Sequence, residues 1–277
     1  MTQHNDIPWG DIRLVLLDLD DTVYRSGVLF PTTMPFLKFL EERNIKYAFL
    51  SNNSSHSTKQ YIERLNKTGI PATENDFYTS THYMIDYLKK NHPEKKRLYF
   101  LGMPEVAKEI SSYGFEIVDE EPDAVIVAFD RELIYSRLCK CAWYIKQGVP
   151  AWATHPDVFC PTNEDTVLVD CGAITRCIET AINMKIPVLG KPDPGMLHAA
   201  AARYGVTAAQ TLMAGDRLAT DVAIAKNAGA TGCHISTLTE YPDTPEELRP
   251  DITCANLGEL MERWQSALCP AHHIHRT

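Results

Sequence analysis

A chain of 277 residues, 44% of them hydrophobic, is long enough to bury one large core or two ordinary ones, which excludes a disordered or fibrous protein. A net charge of −9 and a pI near 5.6 exclude a general affinity for nucleic acid or an anionic membrane, since both demand clustered Lys and Arg. No window approaches the roughly 18 apolar residues of a membrane span, and the opening MTQHNDIPWGDIR lacks the basic start and apolar core of a signal peptide, so a cytoplasmic protein is expected.

Short apolar runs alternate with segments of helical period, which predicts an α/β fold: a doubly wound, Rossmann-like parallel sheet with helices on both faces. Arg13 to Leu17 is the first expected strand and Lys46 to Leu50 the second. Ser57 with Gln60 three residues on has the spacing of a capping box, and the helix it starts closes near Gly69. A helix around Met84 to Lys90 ends in the polar stretch NHPEKKR, after which a new set of strands and helices begins with Leu98 to Leu101. Val106 and Ile110 precede Gly114, and Leu138, Cys141, Ala142 and Ile145 share one face before Gly148, both glycines suiting helix ends.

Val125 to Phe129 and Ala151 to Thr154 read as strands of this middle set, and Ala173 to Met184 as a helix. Pro187 begins a strand returning to the first domain, so residues 86–186 are expected to form an inserted α/β domain within a core made of 1–85 and 187–277. Asp193 followed by Pro194 suits a helix start and Gly205 its end. Thr211 to Ala214 and Gly232 to Ile235 read as strands, Thr220 to Asn227 as a helix before Gly229, and a terminal helix starts near Leu257. Eight cysteines show no zinc spacing and a chain of this size needs no disulfide staples, so reduced structural thiols are expected. The histidines of the closing AHHIHRT lie beyond the last periodic segment and read as a frayed tail.

The first strand runs directly into Asp18-Leu19-Asp20-Asp21-Thr22, which places two alternating carboxylates at its carboxyl end, where open α/β sheets bind their ligands. Three acids in four residues repel one another unless a cation sits among them, and oxygen-only ligands suit magnesium; the plainer alternative is a solvated acidic turn. The second strand ends in Ser51-Asn52-Asn53-Ser54, small polar groups that could hold phosphate oxygens, although the same residues are ordinary turn formers. Gly190-Lys191-Pro192 sets a compact positive charge at a strand end, against the usual reading of an exposed surface lysine. Gly215-Asp216-Arg217-Leu218-Ala219-Thr220-Asp221 offers Asp216 as a metal ligand, while Asp221 equally suits a helix N-terminus through the dipole. All four sites fall at carboxyl ends of strands in one expected sheet. They supply nucleophile and acid, phosphate-binding group, lysine and acidic metal site, the set that phosphoryl transfer through an aspartate requires.

This quartet, in this order, resembles the haloacid dehalogenase superfamily, and its details are similar to subfamily IIA, the NagD-like and p-nitrophenyl-phosphatase branch. The resemblance covers about residues 12 to 240 and rests also on Val127-Ala128-Phe129-Asp130-Arg131, Ala153-Thr154-His155-Pro156-Asp157 and Cys171-Gly172-Ala173. It implies a magnesium-dependent phosphatase in which 86–186 is a C2-type cap that selects the substrate. By the same resemblance Asp18 attacks phosphorus, Asp20 acts as general acid and base, and Lys191 balances charge. Magnesium is then held by Asp18, the Asp20 backbone carbonyl and Asp216, with Thr22 and Asp221 in support and Ser51, Asn52, Asn53 and Lys191 on the phosphate. The implied partner is a small phosphorylated metabolite such as a sugar phosphate, a nucleoside monophosphate or phosphoglycolate; nothing in the chain fixes an oligomeric state. Asp21 stands where the branch usually has glycine, Ser51 where it has threonine, Ala128 where it has glycine and His155 where it has asparagine. His155 could contact a substrate from the cap, but a lone histidine next to a proline reads more simply as a loop residue making one backbone hydrogen bond.

Three other activities compete. Transfer of the phosphoryl group to a second substrate shares the same intermediate. A phospho-acceptor signalling domain of the response-regulator kind uses similar groups, but there the acceptor lies on a later strand than its acidic pair. Carbon–halogen cleavage uses an aspartate without magnesium, and Asp20 and Asp216 argue against it.

Overall fold

The computed structural model describes residues 7–25, 27–160, 162, 164–238, 241 and 243–268. The strand β1 (Leu14–Leu17) leads into a short ribbon of β2 (Tyr24–Arg25) and β3 (Val28–Leu29), then α1 (Thr33–Glu42) and β4 (Lys46–Ser51). There follow α2 (Thr58–Thr68), β5 (Phe77–Thr79), α3 (Ser80–Asn91), β6 (Arg97–Leu101), α4 (Pro104–Ser112), β7 (Glu116–Ile117) and β8 (Ala124–Val127). The middle of the chain continues through α5 (Tyr135–Lys146), β9 (Ala151–Ala153), β10 (Phe159–Cys160), β11 (Leu168–Val169) and α6 (Cys171–Ile182). The last stretch holds α7 (Pro194–Arg203), β12 (Thr211–Gly215), α8 (Ala223–Ala228), β13 (Thr231–Ile235), β14 (Ile252–Cys254) and α9 (Leu257–Leu268). These elements fall into two compact units, Met1–Leu50 with Leu197–Thr277, and Ser51–Met196; the 86–186 segment lies within the second.

In the first unit five strands run parallel in the order β14-β13-β12-β1-β4. β1, β12 and β13 are buried along their whole length. A parallel sheet covered on both faces imposes this, and it is why LVLL of β1 is an unbroken apolar run instead of an alternating one. Leu17 pairs with Ala214 of β12 on one side and with Phe49 of β4 on the other. β1 therefore lies between β4, the next strand of its own sheet along the chain, and one from far downstream, and the strand order reverses there. Such a switch point opens a crevice beyond the carboxyl ends of the strands.

Helices α1 and α9 pack together beside this sheet. Trp264 of α9 is fully buried, its ring centroid 5.8 Å from Phe39 of α1 and 5.1 Å from Trp9. Gly258 admits the approach of Thr32, whose Cγ2 would lie 2.7 Å from any Cβ at that position.

The second unit holds a four-stranded parallel sheet, β7-β6-β8-β9, and the antiparallel pair β10–β11. Leu101, Val125, Val127, Phe129, Ile174 and Ile178 pack in its core, with α5 against α6. The expected capping box is present: the Gln60 amide donates to Ser57 Oγ at 3.4 Å and the Ser57 amide to Gln60 Oε1 at 2.8 Å, while Gly69 ends α2 with φ of 97°. Two helices start earlier than their apolar periods indicate, because polar side chains cap them. Thr79 accepts from the His82 amide ahead of α3, and Asp170 from the Cys171 amide ahead of α6. The strand expected from Pro187 is reduced to one bridge, Ala153 to Val188.

Cys139, Cys141, Cys160, Cys171, Cys177, Cys233 and Cys254 are free thiols, and burial pushes Cys141 up to about 12 and Cys171 up to about 11. Cys269 and the AHHIHRT tail lie outside the described residues. Among the described residues no helix is long and apolar enough to cross a membrane.

Truncating Trp264 to Ala removes the largest fully buried side chain between α1 and α9. Trp264→Ala is expected to cost about 3–5 kcal/mol of stability, read as a lower denaturation midpoint in urea at unchanged slope.

Candidate active site

Asp18 follows β1 without a break in the ladder, its amide donating to the Ala214 carbonyl at 2.9 Å, and its side chain is half-buried. The chain then turns sharply. The amides of Thr22, Val23 and Tyr24 all point to the Leu19 carbonyl, and Asp20 forms a bridge to Tyr24. Within this turn Asp21 has φ of +58°, the left-handed region that a glycine enters freely. Aspartate tolerates it better than most residues, and Arg25 Nε meets Asp21 Oδ1 at 2.5 Å. The Asp21 partner in turn raises the Arg25 pKa, first through this hydrogen bond. Asp20 is half-buried and Thr22 buried, the Thr22 hydroxyl having no hydrogen-bond partner among the described residues.

The neighbouring strand β12 ends at Gly215 and hands over to Asp216. The Asp216 carbonyl accepts from His234 Nε2 at 2.9 Å, while His234 Nδ1 lies 2.7 Å from the Tyr241 hydroxyl, which in turn lies 2.8 Å from Thr253 Oγ1. A carbonyl only accepts, so Nε2 carries the proton; burial lowers the His234 pKa, which favours the neutral ring with Nδ1 as acceptor. β13 and β14 thereby fix the backbone that presents Asp216.

Asp221 is fully buried on a single wide turn, Leu218–Val222, ahead of α8, and its Oδ2 accepts from the Arg217 amide at 3.1 Å. Its carboxyl group lies directly over Gly215, where a Cβ would come 2.3 Å from Asp221 Cγ. One oxygen each from Asp18, Asp216 and Asp221 lies within 4.8 Å of the other two. The fold thus brings Asp221, as a third carboxylate, into a cluster that could hold a metal ion. The Asp20 side chain is not among this trio.

In the second unit the segment after β4 and the turn at Lys191 are held by one side chain. Asn52 is buried; its Oδ1 accepts from the Lys191 amide at 2.7 Å and its Nδ2 donates to the Lys191 carbonyl at 2.9 Å and to Asp157 Oδ2 at 3.3 Å. The Asn52 carbonyl accepts from Ser80 Oγ at 2.6 Å. Asn53 uses its side-chain oxygen to cap the Ser55 amide, and Ser51 Oγ accepts from the Asn53 amide at 3.2 Å. Lys191 is only 2% exposed, which sets aside the surface-lysine alternative, since lysine is almost never buried without a paired charge or an anionic ligand.

Sequence reasoning missed the partners of this clamp, Asp157 and Ser80. It also misread His155, which is fully buried and bonds side chains, not one backbone group: Nε2 is 3.0 Å from Asp170 Oδ1 and Nδ1 is 2.9 Å from Thr154 Oγ1. The available signal was a polar-residue cluster, Thr154-His155-Pro156-Asp157, directly after a buried strand.

A haloacid dehalogenase-like hydrolase profile matches residues 15–116, and a HAD-hydrolase-like profile matches residues 188–260. The crystal structure of a 4-nitrophenylphosphatase from Thermotoga maritima is 33% identical, the match covering 92% of this chain and 98% of that one with a TM-score of 0.85. The chain belongs to the haloacid dehalogenase-like hydrolases. Its likeness within them is to the NagD-like branch: the ribonucleotide monophosphatase NagD of Escherichia coli is 28% identical over 79% of this chain and 85% of NagD. An acid sugar phosphatase of Staphylococcus epidermidis is 27% identical over 88% of this chain and 94% of its own length. Membership makes the chain a hydrolase, in a branch whose named members are phosphatases.

Two substitutions test how this haloacid dehalogenase-like site is built. Gly215→Ala forces Asp221 out of place, and is expected to lower stability by about 1–3 kcal/mol and to weaken divalent-cation binding measured by titration calorimetry. Asp21→Gly frees a strained φ while losing an exposed ion pair, and is expected to shift stability by less than about 1 kcal/mol in thermal denaturation.

Proposed function

We propose that the chain is a magnesium-dependent phosphatase of small phosphomonoesters that works through a phosphoryl-aspartate on Asp18. The observation that supports it most is the carboxylate trio, Asp18, Asp216 and Asp221, at the carboxyl ends of the adjacent strands β1 and β12. Hard oxygen donors alone, gathered this closely with one of them fully buried, fit magnesium and no softer metal. Asp18, the Asp20 backbone carbonyl and Asp216 beside Asp221 would hold the ion, whose chemistry there is to offset charge and align the phosphate.

In this reading the Asp18 carboxylate attacks phosphorus and the ester oxygen leaves with a proton from Asp20. Asp20, now ionised, takes a proton from the water that hydrolyses the acyl phosphate, which restores both side chains. Ser51, Asn52, Asn53 and Lys191 hold the non-bridging oxygens. The side chain of Asn52 already binds the Lys191 backbone, so its own share in phosphate binding falls to its setting of the loop. Lys191 supplies a fixed positive charge where negative charge is greatest during transfer. Thr22 supports the turn that carries Asp20.

Residues 1–85 and 187–277 form the catalytic core in this reading, and 86–186 the cap that admits the substrate. The relatives act on substrates as unlike as a sugar phosphate, a ribonucleotide and 4-nitrophenyl phosphate, so the common recognition element is the phosphate monoester itself.

Phosphate release from a panel of sugar phosphates, nucleoside monophosphates and 4-nitrophenyl phosphate tests the proposal. Release is expected with magnesium, to stop with a chelator and to resume on adding magnesium back. Asp18→Asn is expected to lower kcat at least about a thousandfold, as loss of a covalent nucleophile does. Full activity in Asp18→Asn, or indifference to the chelator, would overturn the assignment.

A further inference from the structure

A chain of buried polar groups in the second unit ends beside the proposed phosphate loop and takes part in none of the chemistry above. The Cys171 amide donates to Asp170 Oδ1 at 2.6 Å, and His155 Nε2 approaches the same oxygen at 3.0 Å. A carboxylate only accepts, so His155 Nε2 carries the proton and Nδ1 faces the Thr154 hydroxyl at 2.9 Å. Thr154 Oγ1 lies 3.1 Å from Ser54 Oγ, and Ser54 Oγ accepts from the Phe129 amide at 3.0 Å. Ser54, Thr154 and His155 thus link the Phe129 amide to Asp170, the Thr154 hydroxyl lying also 3.5 Å from Cys171 Sγ. Ser54, Thr154, His155 and Asp170 are all buried.

The same residues bound the turn at Lys191. Gly190 has φ of +80°, and a Cβ there would lie 2.6 Å from the Thr154 carbonyl, 2.8 Å from Asn52 Oδ1 and 3.2 Å from His155 Cβ. Three segments, 52–54, 154–155 and 190–191, thus meet at one glycine. Asn52 joins two of them through the Lys191 backbone, and the chain from His155 joins the third through Ser54.

We propose that His155 is a positioning residue for phosphate binding: acting through Thr154 and Ser54, it holds the 51–54 loop in register with Lys191. This rests on the reading that this loop and Lys191 take the phosphate oxygens. A side chain that positions binding groups without touching the reacting atoms alters affinity for the common phosphate more than turnover. Its effect is therefore the same for every ester.

The decisive variants are His155→Ala, Thr154→Val, which keeps shape while cutting the chain at its hydroxyl, and the double variant. His155→Ala is expected to raise KM for each ester and Ki for inorganic phosphate about tenfold, with kcat within about twofold. Thr154→Val should reproduce that change, the double variant should add nothing to it, and His155→Gln, which can still donate to Asp170, should restore part of it. Ile178→Ala, a buried core change with no polar group to join these bonds, should lower the melting temperature and leave KM alone. Hydrogen exchange on the 51–55 peptide, recorded without substrate, should speed up at least about tenfold in His155→Ala while the α9 peptide is unchanged. This last readout separates the two proposals: no phosphate release by the native protein sinks the function, whereas unchanged exchange and unchanged KM in both single variants sink the role of His155.

Discussion

Three carboxylates that all approach within 4.8 Å of one another are a standing electrostatic cost, and the first unit is arranged to sustain it. The backbones of Asp18 and Asp216 and a side-chain oxygen of Asp221 are each held by a hydrogen bond. Asp18 continues the β1 ladder through its bond to Ala214, Asp216 is anchored through its carbonyl by His234, and Asp221 is pressed onto Gly215 with its second oxygen engaged by the Arg217 amide. Such rigidity is costly for an empty site and useful for a filled one, because a hard cation then meets donors already in place and loses little freedom on binding. The buried parallel strands supply the stiffness: β1, β12 and β13 have no solvent-exposed residue along their length.

The second unit solves the opposite problem, holding a positive group in an interior that disfavours it. Lys191 is placed by its backbone, which Asn52 grips at both amide and carbonyl, and the turn preceding it passes so close to Thr154 and Asn52 that only glycine fits at 190. Side-chain charge and backbone placement are thereby separated. Asn52 and Asn53, the loop residues expected to bind phosphate, spend their side chains on this scaffolding.

Much of this was legible in the sequence where the physics is local. Unbroken apolar runs marked the buried strands, Ser57 with Gln60 the start of α2, and acids at strand ends the neighbourhood of the carboxylate cluster. What escaped is what depends on distant residues. The strands β5, β10, β11 and β14 are two or three residues long and have too few side chains for a period to register. Asp221 could not be told from a helix-terminal acid until the wide turn at 218–222 put its carboxylate over Gly215. His155 read as a loop residue because its partner Asp170 lies fifteen positions on, beyond any spacing rule.

At the four positions expected to depart from the branch's pattern, the residue present meets a definite physical requirement of its surroundings. Asp21 keeps the left-handed turn, the non-glycine side chain being steadied by Arg25. Ser51 supplies a hydroxyl that accepts from the Asn53 amide. Ala128 adds a methyl group in a fully buried position, and a Cβ at Gly102 would come 3.0 Å from it, so the space is left open from the opposite side. His155 is a two-ended ring with both ends bonded. Backbone conformation, hydroxyl, packing volume and hydrogen-bond capacity are thus what the fold demands at these sites, and residue identity follows only as far as it supplies them.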